Sequence, residues 1–102
     1  MKIILCLMEH IEEELKDADA YIELAMAWKD KDSEAAELFS ELSAEEMTHM
    51  EKLHQQAVDE IEAYKEQNGS PPAGMQELYD HMHKKYMKEA MRIKVKQGMF
   101  RE

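Results

Sequence analysis

The residues in this sequence with the clearest potential for chemistry form a Glu-x-x-His pair, Glu46 with His49. Residues three apart in a helix lie on the same face, so a carboxylate and an imidazole at this spacing can bind one ion. A second pair, Glu51 with His54, follows directly. The chain has 17 glutamates and five histidines among 102 residues, so a chance match is expected. The spacing alone therefore does not identify a site, and the face of the helix on which each pair lies must decide whether it is a candidate.

Only Glu46 and His49 point toward the apolar side of their segment. With Leu42 at zero and 100° per residue, Glu46 falls at about 40° and His49 at about 340°. The apolar positions on this side of the helix are Phe39, Leu42, Met50, Leu53, Ala57 and Tyr64. Glu51 falls at about 180°, facing solvent, which indicates that the second pair is accidental. Glu46 and His49 are therefore the first candidate metal ligands.

Glu14 is the matching acid of the preceding segment. With Ile11 at zero it falls at about 300°, beside the apolar stripe, whereas Glu12 and Glu13 lie off that stripe. Glu14 lies 17 residues before Lys31 and Glu46 lies 15 after it. A hairpin folded about Lys31 would therefore bring the two acids to within about 3 Å of the same height. Burying an unpaired carboxylate is costly, so a metal ion, a basic partner or a shared proton must compensate the cluster.

Two polar breaks define the elements that position these residues. Asp32 or Ser33 can cap the helix that follows the first break, and Gly69 with two prolines ends that helix at the second. We predict an all-α fold in a single domain over residues 1–102, with helices at about 3–28, 33–67 and 75–97. The short first turn makes helices 1 and 2 an antiparallel hairpin, to which helix 3 is added at the C-terminal end.

The composition of the chain limits the classes of binding partner and the cellular location that we expect. The net charge of −10 argues against nucleic acid and anionic membranes. No apolar run reaches membrane length, and the apolar start is too short for a signal peptide, so we expect a cytoplasmic protein. The single cysteine, Cys6, cannot form an internal disulfide and is interpreted as a small core residue.

The number of candidate ligands per chain favours a symmetric dimer. A di-iron carboxylate bundle uses one Glu from each of two helices and a Glu-x-x-His from each of the other two. One hairpin supplies half of that set, so two hairpins about a two-fold axis would complete it. Four carboxylates would also balance two divalent cations. Mixed oxygen and nitrogen ligands suit iron or manganese, with zinc as a further alternative.

Over about residues 7–57 the chain resembles a half-length ferritin-like protein of the encapsulated-ferritin and rubrerythrin-type group. The resemblance is carried by Glu14 with Tyr21 seven residues later, by Ala25, and by the run Glu45-Glu46-Met47-Thr48-His49. It implies that Glu14, Glu46 and His49 are catalytic iron ligands and that Tyr21 lies beside the metal carboxylates. It further implies a ferroxidase that oxidises iron(II) with dioxygen or peroxide. The di-iron site would be shared between two subunits of a homodimer or larger homo-oligomer, in a ferritin-like four-helix bundle.

Other polar residues receive structural interpretations. We expect Glu89 to form a salt bridge with Lys85, Arg92 or Lys96, and the ten methionines to fill the core. His10, His81 and His83 are interpreted as surface residues. Two alternatives to the ferroxidase stay open. One is a non-catalytic helical interaction protein in which Glu14, Glu46 and His49 are held by hydrogen bonds, and the other is a metal-binding protein without redox turnover.

Overall fold

The computed structural model describes residues 2–102, and that part of the chain is built from three helices. They are α1 (Lys2–Trp28), α2 (Ser33–Asn68) and α3 (Ala73–Arg101). The predicted all-helical fold is confirmed, and the first two helices match their predicted ranges to within one residue. The third begins two residues earlier and ends four residues later than predicted. Pro72 stands at its N-cap, where a missing N–H has no cost, and Gly98 is tolerated within it.

A tight turn joins α1 and α2. The amides of Lys31 and Asp32 donate to the carbonyl of Trp28 at 3.0 and 2.8 Å. The Asp32 side chain accepts from the amide of Ala35 at 3.1 Å and caps α2. This turn makes the two helices antiparallel, as the sequence predicts.

The second turn depends on one glycine. Gly69 has a φ of 74° and donates its amide to the carbonyl of Lys65 at 2.9 Å. Residues other than glycine rarely adopt this backbone conformation, so the glycine stops α2 where the chain must turn. The helix that follows returns antiparallel to α2 and therefore parallel to α1.

The three helices form a slender bundle with extents of 55 × 17 × 17 Å. Its larger apolar cluster contains Ile4, Met8, Ile11, Leu15, Ala18, Met47, Met50, Ile61, Tyr86, Ala90 and Ile93. A smaller cluster near the first turn contains Ile22, Ala25, Ala36 and Phe100.

Helix α3 packs mainly on α1, and polar contacts reinforce that pairing. Lys96 donates to Asp19 at 2.8 Å and to Glu23 at 2.6 Å, and Arg92 donates to Asp19 at 3.1 Å.

The buried face of α2 differs from the predicted one. Met50 and Ala57 are buried as predicted, but the structure also buries Ser40, Ser43 and Met47. The centre of the buried face is therefore rotated by roughly 70° from the predicted stripe at 100° per residue. The reason is that α3 covers this side of the hairpin. The buried hydroxyl of Ser43 has hydrogen-bond partners: it donates to the Ala18 carbonyl at 2.7 Å and accepts from the Gln97 amide at 2.9 Å.

The side of the hairpin opposite α3 stays uncovered, and we call it the hairpin face. On α1, Tyr21 lies about 180° around the helix from Glu12, which faces Lys85 of α3. The hairpin face is formed by Glu14, Tyr21 and Trp28 of α1 with Leu38, Leu42, Glu46, His49 and Leu53 of α2. Trp28 and Leu38 are 43% and 53% exposed, and Leu42 and Leu53 are half-buried. The sequence pattern therefore identified an apolar stripe of which α3 covers only a part.

Cys6 departs from its prediction. Its side chain is exposed, because the buried positions of the first turns are Ile4, Leu7 and Met8. Among residues 2–102, no helix combines the length and the apolar character needed to cross a membrane.

Candidate metal centre

The hairpin brings Glu14, Glu46 and His49 together. The His49 Nδ1 atom lies 3.5 Å from Oε2 of Glu14 and 3.6 Å from Oε2 of Glu46. One ligand atom from each residue lies within 4.8 Å of the other two. These residues come from two antiparallel helices at matching height, so the tight turn at Lys31 sets their register.

The site opens on the hairpin face. The side chains of Glu14 and Glu46 are 24% and 19% exposed, whereas His49 is 54% exposed. The carboxylates thus lie in the seam between the helices, and the imidazole covers them from the solvent side. The expected inward direction holds for the acids, whereas His49 lies at the rim because the covered face of α2 is rotated toward α3.

One oxygen of Glu14 has no hydrogen-bond partner. Its Oε2 atom is buried, and His49 Nδ1 lies 3.5 Å away, which is within ion-pair distance but does not form a hydrogen bond. Leaving a buried acceptor unpaired costs about 1–3 kcal/mol. A bound water molecule or cation would supply the missing partner, which makes this atom the natural point at which to test the site.

The donor set fits a divalent metal ion. Two carboxylates balance the charge of one dication, and the imidazole adds a nitrogen ligand. Oxygen donors with one imidazole suit iron and manganese, and zinc also accepts such ligands. The three residues would leave coordination positions open on the hairpin face, where water, substrate or a second chain could approach.

Tyr21 lies two turns after Glu14 on the hairpin face. Its ring stacks on Phe39 with the ring centroids 6.4 Å apart and an interplanar angle of 19°. This contact fixes the ring between the two helices. Its suggested place beside the metal carboxylates stays a prediction.

The expectations for the outlying polar residues are met with one exception. His10 is exposed and lies 3.3 Å from Glu13, and Glu89 pairs with Arg92. His81 is exposed, but His83 is half-buried, and its Nδ1 lies 3.3 Å from Nε2 of His54. The surface interpretation of His83 is therefore wrong. Wheel positions treat each helix separately and do not reveal a pair formed between two helices.

Comparison with protein-family models, with curated proteins and with solved structures finds no match for this chain.

Proposed function

We propose that this chain is the subunit of a ferritin-like ferroxidase, in which Glu14, Glu46 and His49 bind iron(II) and two chains together complete a di-iron site. The observation that carries the proposal is the convergence of two carboxylates and an imidazole within 4.8 Å, with a buried Glu14 oxygen that lacks a partner.

The hairpin face supports a shared site. It surrounds the three ligands with half-buried and exposed apolar side chains, among them Leu38, Leu42 and Leu53. A second hairpin placed on this face would bury that apolar area and bring its own three ligands to the first set. The pair would then contain four carboxylates and two imidazoles, the ligand count of a di-iron bundle.

In the proposed reaction iron(II) is the substrate. Four iron(II) ions each give one electron to a dioxygen molecule, which takes up four protons and forms two water molecules. With hydrogen peroxide, two iron(II) ions supply the electrons, two protons are consumed and two water molecules form. The role of the chain is to bind the iron. Glu14 and Glu46 would offset the charge of the cation and favour iron(III), the more highly charged product. His49 would bind the ion from the solvent-exposed side of the site.

The test is iron binding and oxidation by a Glu46→Gln variant, with Glu41→Gln as the matched control. Glu41 is an exposed carboxylate on the same helix. Removing a ligand should weaken iron binding by more than about 100-fold, a loss larger than a supporting residue causes. We expect native protein purified without chelator to contain iron and to oxidise added iron(II), measured by metal analysis and by the absorbance of iron(III). The control should match the native protein.

Two results would select the alternatives. Bound metal without oxidation of iron(II) would indicate a metal-binding protein without turnover. Only traces of metal, unchanged in Glu46→Gln, would mean that His49 serves as an ion-pair partner of the two carboxylates, and the chain would then be a structural helical protein. The contacts of 3.5 and 3.6 Å between His49 and these acids are the observation that favours this second candidate.

A further inference from the structure

The groove between α2 and α3 contains a pair of histidines that the proposed ferroxidase site does not use. His54 of α2 and His83 of α3 lie 29 positions apart in the sequence, and their rings stack with centroids 5.1 Å apart. The ring of Tyr79 also stacks with that of His83, with the two centroids 5.8 Å apart. The two imidazoles are thus part of a cluster of three rings.

We propose that His54 and His83 form a second metal site, for an ion that prefers imidazole nitrogen, of which zinc is the representative. Nε2 of His54 and Nδ1 of His83 are 3.3 Å apart. Two nitrogen ligands at about 2.05 Å from a tetrahedral ion are separated by about 3.3 Å, so the observed spacing already matches that of a bound pair. Water molecules would fill the remaining positions.

The chemical state of the pair suits ligation. Burial, followed by the neighbouring His83, lowers the pKa of His54 below its ordinary value of 6.5. A lowered pKa favours the neutral imidazole, which is the form that binds metal. An ion would accept both facing nitrogens as ligands in place of the 3.3 Å contact between them.

This site differs from the carboxylate site in position and in chemistry. His54 belongs to the side of α2 that faces α3, whereas Glu46 and His49 lie on the hairpin face. The acid of the local Glu-x-x-His, Glu51, lies 3.6 Å from Lys94 of α3. Because Glu51 contacts Lys94, the ligands of the proposed site are the two imidazole nitrogens of His54 and His83. Nitrogen ligands favour zinc, copper or nickel over the harder ions that carboxylates attract.

An ion bound here would join α3 to α2. The contact between α3 and α2 is less extensive than the contact between α3 and α1. Besides the histidines, the polar contacts between α3 and α2 include Glu51 with Lys94 and Ser43 with Gln97. A metal bridge would therefore secure the third helix without occupying the hairpin face.

The test measures zinc binding in a Glu46→Gln background, which removes the first site from the measurement. The variants are His54→Gln and His83→Gln, with His81→Gln as the matched control, since His81 is an exposed histidine on the same helix. Zinc affinity is measured by competition with a chromophoric chelator. Cobalt(II) replaces zinc to reveal a tetrahedral site by its visible absorbance, and circular dichroism checks that each variant is folded.

We expect one zinc ion per chain in the Glu46→Gln protein and in its His81→Gln derivative, and a loss of affinity of at least about tenfold in either of the other two. At zinc concentrations about 100-fold above the dissociation constant, the melting temperature should rise by roughly 10 °C, and only where both His54 and His83 are present. Equal binding in all variants, or no binding in the Glu46→Gln protein, would overturn the second site. Because this readout does not use iron oxidation, either site can fail without the other.

Discussion

At the scale of single residues, Glu14 distinguishes this chain from an ordinary helical bundle. Several other acids are held in ion pairs with lysine, arginine or histidine, as Asp19 is with Lys96. Glu14 lies 3.5 Å from His49, but its buried Oε2 atom has no hydrogen-bond partner, and its carboxylate is close to that of Glu46. Stability alone would favour a neutral side chain at this position, because two neighbouring carboxylates repel each other.

Replacing Glu14 should therefore have opposite effects with and without metal. In the presence of a chelator, Glu14→Gln should raise the free energy of unfolding by about 1 kcal/mol, because it removes the repulsion between the Glu14 and Glu46 carboxylates, whose ligand atoms lie within 4.8 Å of each other. With iron(II) or manganese added, the native protein should gain stability and the variant should not. Urea denaturation under both conditions measures the two effects.

Glu13→Gln is the control for this experiment, since Glu13 is 68% exposed and lies next to Glu14. Its unfolding free energy should change by less than about 0.5 kcal/mol in either condition. A Glu14 variant that is destabilised in chelator would contradict the view that this acid is retained for binding.

At the scale of elements, the third helix decides which side of the hairpin is covered. Its cationic residues Arg92 and Lys96 meet Asp19 of α1, and its Gln97 meets Ser43 of α2. These contacts place α3 opposite the hairpin face. They leave the three candidate ligands on the side of the hairpin that α3 does not cover, which is the arrangement that the proposed site shared by two chains requires.

The contact between α1 and α3 should give the protein a defined sensitivity to acid. Burial alone would raise the pKa of Asp19, but hydrogen bonds from Lys96 and Arg92 outweigh it and lower the pKa below the ordinary 3.8. A carboxyl with a lowered pKa stabilises the fold above its unfolded pKa and loses that contribution as the pH falls through the folded value. The Asp19 contribution should therefore be complete at pH 6 and decline below about pH 3.8.

Asp19→Asn tests this expectation. At pH 6 the variant should be less stable than the native chain by about 1 kcal/mol, the range of a partly exposed pair of ionic hydrogen bonds. At pH 2.5 the difference should shrink toward zero, as measured by urea midpoints at both values. Asp17→Asn, at an exposed position two residues earlier, should show no such convergence. A difference for Asp19→Asn that is the same at both pH values would show that the ionic contact contributes nothing.

At the scale of the whole molecule, the bundle is long and only 17 Å wide. A rod of this shape has a thin core and leaves much apolar area on its surface, so it gains stability from association. Two of the groups of exposed apolar side chains bear on the proposed dimer. The hairpin face has Leu38 and Trp28, and the outer side of α3 has Met91, Val95 and Met99. The three candidate ligands lie on the hairpin face, which is why we place the proposed dimer there.

A charge on the hairpin face should separate the chains without unfolding them. Leu38 is more than half exposed within one chain, so Leu38→Asp should leave the helix content unchanged. We expect it to weaken the proposed dimer by about tenfold or more and to slow iron oxidation in parallel. Native mass spectrometry and sedimentation measure the association.

Met91→Asp is the matched control, because Met91 is 70% exposed on the opposite side of the bundle. It should leave both the mass of the assembly and the rate of iron oxidation unchanged. A native protein that stays monomeric with iron bound would contradict the shared site. A dimer that is broken by Met91→Asp alone would indicate that the interface lies on α3.

The sequence by itself determined the helices, their turns and the residues of the candidate metal centre. Asp32, Gly69 and the two prolines act through local backbone chemistry, so they specify where helices start and stop without reference to the rest of the chain. The height of Glu14 relative to Glu46 follows from counting residues on each side of a short turn. These properties depend on neighbours in the sequence, and helical periodicity reports them.

Only the tertiary structure decided which part of each apolar stripe is buried. The sequence pattern placed Leu42 and Leu53 in the apolar stripe of α2, but the structure buries Ser43 and Met47 more fully, on the side where α3 packs. A helical wheel gives the direction of each side chain but not the side from which a third helix approaches, and that side is set by contacts between distant residues. For the same reason the pair of His54 and His83 became visible only when two helices were seen together.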